Sequence, residues 1–132
     1  MTSRTPVKRI RRPKLKYLIA ALSILVAAPV AAETQLLMVR ETGCFWCARW
    51  DAEVGDAYDK TTEGKAAPLV TADLHGSLDA YDFVRPVVFS PTFVLIEDNV
   101  ELGRIEGYPG EDFFWGFLGN LLAEAELPAP NI

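Results

Sequence analysis

The chain has 132 residues, half of them hydrophobic, with 18 acidic and 13 basic side chains, a formal net charge of −5 and two cysteines. This length suits one domain rather than a two-domain enzyme with separate cofactor and substrate units, and 3 Trp, 4 Tyr and 7 Phe are too many for a disordered chain. Two cysteines exclude a framework of several disulfides, and the acidic balance argues against a basic nucleic-acid surface.

The charge divides near residue 32. Met1 to Ala32 holds seven basic residues and no acidic one, so residues 33–132 hold six basic and all 18 acidic side chains, a formal charge of −12. Tyr17 to Ala28 is apolar but too short to span roughly 30 Å of hydrocarbon as a typical transmembrane helix, and it runs into Pro29-Val30-Ala31-Ala32. A basic leader, a short apolar core and small residues at −3 and −1 predict a secretory signal peptide over residues 1–32, cleaved after Ala32. An uncleaved signal anchor is the alternative. Arg11-Arg12 has the look of a twin-arginine signal, yet Lys14 stands where an apolar residue is usual, which favours Sec export. Residues 33–132 are therefore expected outside the cytoplasm, in an oxidising compartment where a disulfide persists.

Gln35 to Arg40 is an unbroken apolar run suited to a strand buried on both faces. Thr42-Gly43 interrupts it. From Cys44 to Tyr58, Cys47, Trp50, Val54, Ala57 and Tyr58 recur at spacings of three and four, which predicts an amphipathic helix. Lys60 to Ala67 lacks periodicity and reads as a loop. Pro68 to Leu74 reads as a second strand, Ser77 to Val84 as a short helix or irregular connection, and Pro86 to Phe89 as extended chain ended by Ser90-Pro91.

Thr92 to Ile96 is rich in β-branched and aromatic residues and is the most strand-like segment. Glu97-Asp98-Asn99 supplies turn chemistry, so Val100 to Ile105 is expected to return as a hairpin. Gly107 to Gly110 ends that strand. A helix then starts near Glu111, where Glu111 and Asp112 complement its dipole, with an apolar stripe of Phe114, Phe117, Leu118, Leu121, Leu122 and Ala125. Gly116 and Gly119 each cost about 1 kcal/mol against Ala in a helix interior, which suggests close approach to the sheet; Phe113 and Trp115, off the stripe, are expected to pack under the Gly107 to Gly110 loop. Pro128-Ala-Pro130 should stop the helix.

The cysteines form a C-x-x-C, Cys44-Phe45-Trp46-Cys47, at a strand-to-helix junction. Free N–H groups at a helix start lower a thiol pKa, making Cys44 the expected nucleophile and Cys47 the thiol that closes or resolves a disulfide. A structural disulfide and a metal site compete with this redox reading. Closing so short a loop restrains the unfolded chain little, and structural zinc usually takes four Cys or His ligands, whereas here there are two cysteines and one histidine, His75. Phe45 and Trp46 are expected at an exposed tip as an aromatic contact surface. Trp50 is expected in the core, Arg49 on a solvated face, and His75 in an exposed or hydrogen-bonded structural role.

The series of strand, C-x-x-C, helix, strand, Ser90-Pro91-Thr92 turn, hairpin and terminal helix, spanning most of Gln35 to Leu122, resembles the thioredoxin superfamily. The resemblance implies an α/β thioredoxin-like fold with a central mixed sheet of about four strands flanked by helices. It also implies a cis Pro91 beside the sulfurs, Ser90 offering backbone groups to an extended substrate, and Gly107 bordering the substrate groove. More narrowly, Pro91 to Trp115 with Gly43-Cys44 and Trp50 looks like the periplasmic thioredoxin-like regulatory protein of bacterial sulfur-oxidation (Sox) systems.

Two departures stand out. Phe45-Trp46 replaces the Gly-Pro of ordinary thioredoxins, and Met38 occupies the position where they bury an acidic residue. Glu41, the carboxylate nearest in sequence, is the candidate for proton transfer. The resemblance implies an exported monomeric thiol–disulfide oxidoreductase that reduces a periplasmic partner disulfide, a Sox carrier protein among the candidates, and draws electrons from a membrane thiol shuttle. The Cys44–Cys47 disulfide would suffice without cofactor or metal. A non-catalytic redox-sensing or binding module on the same fold is the competing reading.

Overall fold

The computed structural model describes residues 2–11, 24–29 and 31–125. Its elements are β1 (Thr34–Arg40), α1 (Phe45–Trp50), a π-helical turn (Asp51–Gly55), α2 (Asp56–Tyr58), α3 (Thr62–Ala66), β2 (Leu69–Asp73), β3 (Thr92–Glu97), β4 (Val100–Glu106) and α4 (Glu111–Glu124). The four strands form one mixed sheet in the order β2-β1-β3-β4, with β2 parallel and β3 antiparallel to the central β1.

The apolar run of β1 fills two cores because alternate strand residues point to opposite faces. Leu36 and Met38 join Trp50, Tyr58, Phe93, Phe114, Leu118 and Leu122 on the helical side. Leu37 and Val39 join Val87, Val94 and Ile96 on the other side, under Leu74, Leu78, Tyr81 and Phe83. Leu36 to Val39 are fully buried, each side chain contributing roughly 1.5–3 kcal/mol relative to exposure.

Asp98 and Asn99 both take positive φ, 49° and 67°, and turn β3 into β4. A register shift between Leu95 and Ile96 accommodates one extra residue in β4. Edge-to-face and tilted contacts of Trp50 with Phe93 (5.4 Å) and Phe114 (5.7 Å) bind α1, β3 and α4 into one aromatic centre.

Several expectations need correction. Lys60 to Ala67 is not a loop: Thr61 caps α3 by accepting the Gly64 N–H at 3.0 Å, and Gly64 lies so close to Tyr58 that a Cβ would sit 1.8 Å from its carbonyl oxygen. Ser77 to Val84 takes the irregular form of its two expected alternatives, joined to β4 by the Asp82–Val100 bridge and by the Val84 N–H donated to Glu101 Oε2 at 2.8 Å. Gly116 and Gly119 do not admit a close approach, since a Cβ at either meets nothing within 4 Å. The close approach is at Gly103, where a Cβ would lie 2.6 Å from Leu121 Cδ2.

Phe117 is not core: it is exposed and stacks on exposed Phe113 at 6.2 Å, because Phe114, Leu118 and Leu122 already fill the buried stripe of α4. Nor do Phe113 and Trp115 pack under the Gly107 loop. Tyr108 is the buried side chain of that loop, and Trp115 stacks on Tyr58 at 5.9 Å.

Of the leader's apolar core, Tyr17 to Ser23 lie outside the described residues, and Ile24, Leu25 and Val26 are exposed. The Pro128-Ala-Pro130 stop also lies outside them. Among the described residues no helix is long and apolar enough to cross a membrane.

Candidate active site

Gly43, at φ +78°, makes the left-handed turn from β1 into α1 that a side chain would resist. The turn places Cys44 at the helix start, where its sulfur accepts the Cys47 N–H at 3.1 Å. Cys44 and Cys47 are joined in a disulfide with a Cα separation of 5.2 Å. Their environments differ: Cys44 is half-buried, whereas Cys47 is 1% exposed and packed in the core. A partner can therefore reach the Cys44 sulfur while Cys47 acts from behind it.

The Ser90–Pro91 peptide is cis. The Thr92 hydroxyl donates to Phe89 O at 2.7 Å, and the Gly107 N–H donates to Pro91 O at 2.7 Å, so the turn is fixed on both sides. Gly107 has φ +83°, again a left-handed position that favours glycine. Trp46, Phe89, Ser90, Glu106 and Gly107 line a groove of about 370 Å³. Phe45 and Trp46 are 68% and 48% exposed and meet edge to face at 5.1 Å. Thus the fold brings Phe45, Trp46, Ser90, Pro91 and Gly107 together around the disulfide.

A second, more polar cleft of about 600 Å³ opens on the β2 side of Cys44, lined by Arg40, Glu41, Thr42, Phe45, Thr71 and Asp73 among others. Arg40 is held there by a two-pronged ion pair with Asp51 at 2.8 and 2.7 Å. Glu41 is on the rim, but its carboxylate is engaged with His75 Nε2 at 2.7 Å. Arg49 pairs with Glu53 at 2.8 Å, and its guanidinium lies over the Trp46 ring, 5.8 Å from the centroid. No group of three or more metal-ligating side chains occurs among the described residues.

Three features were missed from sequence. Phe89 lines the groove; its place directly before Ser90-Pro91 was the available signal. The Ser90 hydroxyl lies 3.3 Å from Cys47 Sγ, a contact across 43 residues with no local pattern to announce it. Buried Glu101 and Arg104 pair through two hydrogen bonds of 2.6 and 2.8 Å, and Arg104 also donates to Arg85 O at 2.7 Å. That pair anchors the segment leading to Phe89 and Ser90.

No protein-family model matches the chain, and no curated protein matches it. Among solved structures it is similar to the periplasmic thioredoxin SoxS from Paracoccus pantotrophus, crystallised in the reduced form. The two chains are 50% identical, the match covers 70% of this chain and 99% of that one, and the TM-score is 0.68.

Proposed function

This chain belongs to the family of periplasmic thioredoxins exemplified by SoxS, and from that premise we propose that it is an exported thiol–disulfide oxidoreductase reducing a disulfide of a periplasmic partner protein. The observation that carries the reading is the asymmetry of the disulfide, an accessible Cys44 sulfur beside an aromatic groove and a buried Cys47 behind it.

In the dithiol form the Cys44 thiolate attacks one sulfur of the partner disulfide. A Cys44–partner bond forms and the first partner thiolate leaves. Cys47 thiolate then attacks Cys44 Sγ, the Cys44–partner bond breaks, and the second partner thiolate leaves; two electrons have passed to the partner and the Cys44–Cys47 disulfide remains. Phe45, Trp46 and Phe89 offer apolar contacts to the partner chain, Ser90 offers backbone groups, Pro91 packs beside the sulfurs and Gly107 borders the groove. With no further cysteine in the sequence, re-reduction requires an external dithiol donor, for which a membrane thiol shuttle is suited. The likeness to SoxS favours a partner in sulfur oxidation, such as a Sox carrier protein, and supports periplasmic residence after removal of residues 1–32.

The test is turnover in an insulin-disulfide reduction assay with a supplied reductant, with Cys44→Ser as control. Turnover abolished by Cys44→Ser supports the proposal. No turnover above background with the intact chain overturns it and leaves the redox-sensing module as the reading.

A further inference from the structure

Cys47 sits in a setting hostile to a thiolate. It is 1% exposed and clustered with Leu36, Met38, Trp50, Phe93 and other apolar side chains, and such burial favours the neutral thiol. The resolving step needs the charged sulfur. The ionisable groups around the site are committed elsewhere: Arg49 to Glu53, Glu41 to His75, Arg40 to Asp51, and Glu106 to Arg85. Among the described residues, the side-chain hydrogen-bond partner of Cys47 Sγ is the Ser90 hydroxyl, at 3.3 Å. A disulfide sulfur carries no proton, so the hydroxyl is the donor.

We infer that the Ser90 hydroxyl is a catalytic hydrogen-bond donor that stabilises the Cys47 thiolate for the resolving attack, beyond the backbone role its place before Pro91 implies. The inference rests on the oxidoreductase reading above. Ser90 is held for this task by the neighbouring bonds from Thr92 to Phe89 and from Gly107 to Pro91, so the hydroxyl is offered from a fixed turn. The Cys47 proton leaves to water through the groove that Ser90 itself lines. The thiolate then attacks Cys44 Sγ, the Cys44–partner bond breaks, and the departing partner thiolate takes a proton from water.

A hydrogen bond to a charged group is worth enough to change the thiolate fraction about tenfold or more. The experiment has two arms. In a Cys44→Ala background Cys47 is the sole cysteine, and its thiolate is titrated by ultraviolet absorbance with Ser, Ala or Thr at position 90. Ser90→Ala is expected to move the midpoint up by about one pH unit, and Ser90→Thr, which keeps the hydroxyl, to hold it near that of Ser90. In the two-cysteine chain, Ser90→Ala is expected to lengthen the life of the mixed disulfide about tenfold at neutral pH.

An unchanged midpoint in Ser90→Ala, an equal rise in Ser90→Thr, or an unchanged mixed-disulfide lifetime overturns the assignment. The titration arm needs no partner, so failure of the intact chain to form any mixed disulfide would count against the oxidoreductase reading alone.

Discussion

Tyr108 donates its phenol to Glu53 Oε2 at 2.5 Å, tying the loop after β4 to the π-helical turn that continues the disulfide-bearing helix. Glu53 also holds Arg49, which lies over Trp46. One line of contacts therefore runs from the Gly107 loop to the aromatic tip between the cysteines. Both walls of the groove, Trp46 and Gly107, are set by it.

The Tyr108 hydrogen bond, then that of Arg49, holds the Glu53 carboxyl below its ordinary value of 4.5. A carboxyl depressed in the folded state contributes stability that is present above its ordinary value and is lost as pH falls toward the folded value. Tyr108→Phe is expected to flatten this acid-side loss. Thermal midpoints from about pH 7 down to about pH 3 test it; an acid slope equal to that of the unaltered chain would refute the link. Partner KM should rise more than kcat falls, because the change loosens a groove wall and leaves both sulfurs in place.

The opposite sign holds for the two buried tyrosines. Burial is the main cause that pushes both Tyr58 and Tyr108 above their ordinary value of 10, aided by Glu63 at the first and by the Glu53 bond at the second. Groups raised in the folded state stabilise below their ordinary value, and that contribution is lost as pH rises. Stability should therefore fall above about pH 10, less steeply in Tyr58→Phe. That variant also loses the phenol donated to Ala67 O at 2.7 Å, so its neutral-pH stability should drop by roughly 1 kcal/mol. Denaturant unfolding at neutral and alkaline pH separates the two effects.

Glycines offer a pair of contrasting expectations. Gly116→Ala and Gly119→Ala add a methyl into open space within α4 and should each stabilise by about 0.4–1 kcal/mol. Gly64→Ala drives a Cβ into the Tyr58 backbone, which no rotamer change relieves, and should cost about 3 kcal/mol. Unfolding midpoints of the three variants decide; a destabilised Gly116→Ala would mean that the exposed face of α4 is covered by something else.

These glycines also mark where sequence patterns end. The strand of Thr92 to Ile96, the Asp98-Asn99 turn and the start of α4 were legible because side-chain type and local backbone conformation coincide there. The α3 helix was not, since its five residues rest on one threonine cap and one contact with Tyr58. In α4 a stripe at spacings of three and four includes more apolar residues than one face can bury, so Phe117 was assigned to the core that Phe114, Leu118 and Leu122 fill. At the site, the cysteine pair, Ser90-Pro91 and Gly107 were visible as motifs. The Ser90 hydroxyl on Cys47 and the phenol of Tyr108 on Glu53 join residues 43 and 55 apart, and only folding brings them together.

The Glu101–Arg104 pair is nearly sealed from solvent, with side chains 1% and 4% exposed. Burial pushes the Glu101 carboxyl up, but the bonds from Arg104 and the Val84 N–H outweigh it and hold it below the ordinary value. Arg104→Met would leave a buried carboxylate without its partner and should cost about 3–5 kcal/mol. It would also free the carbonyls of Arg85 and Pro86 that Arg104 holds, loosening the approach to Ser90. Replacing both members with Met should recover much of the stability, since well-packed apolar pairs often match buried ion pairs, without restoring that tether. Denaturant unfolding with reductase turnover on the single and double variants checks both parts; equal stability losses in the two would contradict the unpaired-charge argument.

The chain enters the fold at Glu33, whose N–H donates to Asp98 Oδ1 at 3.0 Å while Asp98 N–H donates to Glu33 O at 2.9 Å. Cleavage after Ala32 would turn that N–H into an α-ammonium facing the same carboxylate, so processing would add an ion pair between the new terminus and the β3–β4 turn. The pair is exposed and worth about 0.5 kcal/mol, and it should raise the α-amino group above its usual range of roughly 7.7–8.0. A group raised in the folded state stabilises below its ordinary value and loses that contribution as pH rises. The processed chain should thus exceed a form retaining Ala31-Ala32 in stability near pH 6, with the difference vanishing above about pH 9 and absent at every pH in Asp98→Asn. Mass spectrometry of exported protein should find Glu33 as the first residue. A different terminus would remove the premise, and a pH-independent difference would show that the two added alanines act through something other than charge.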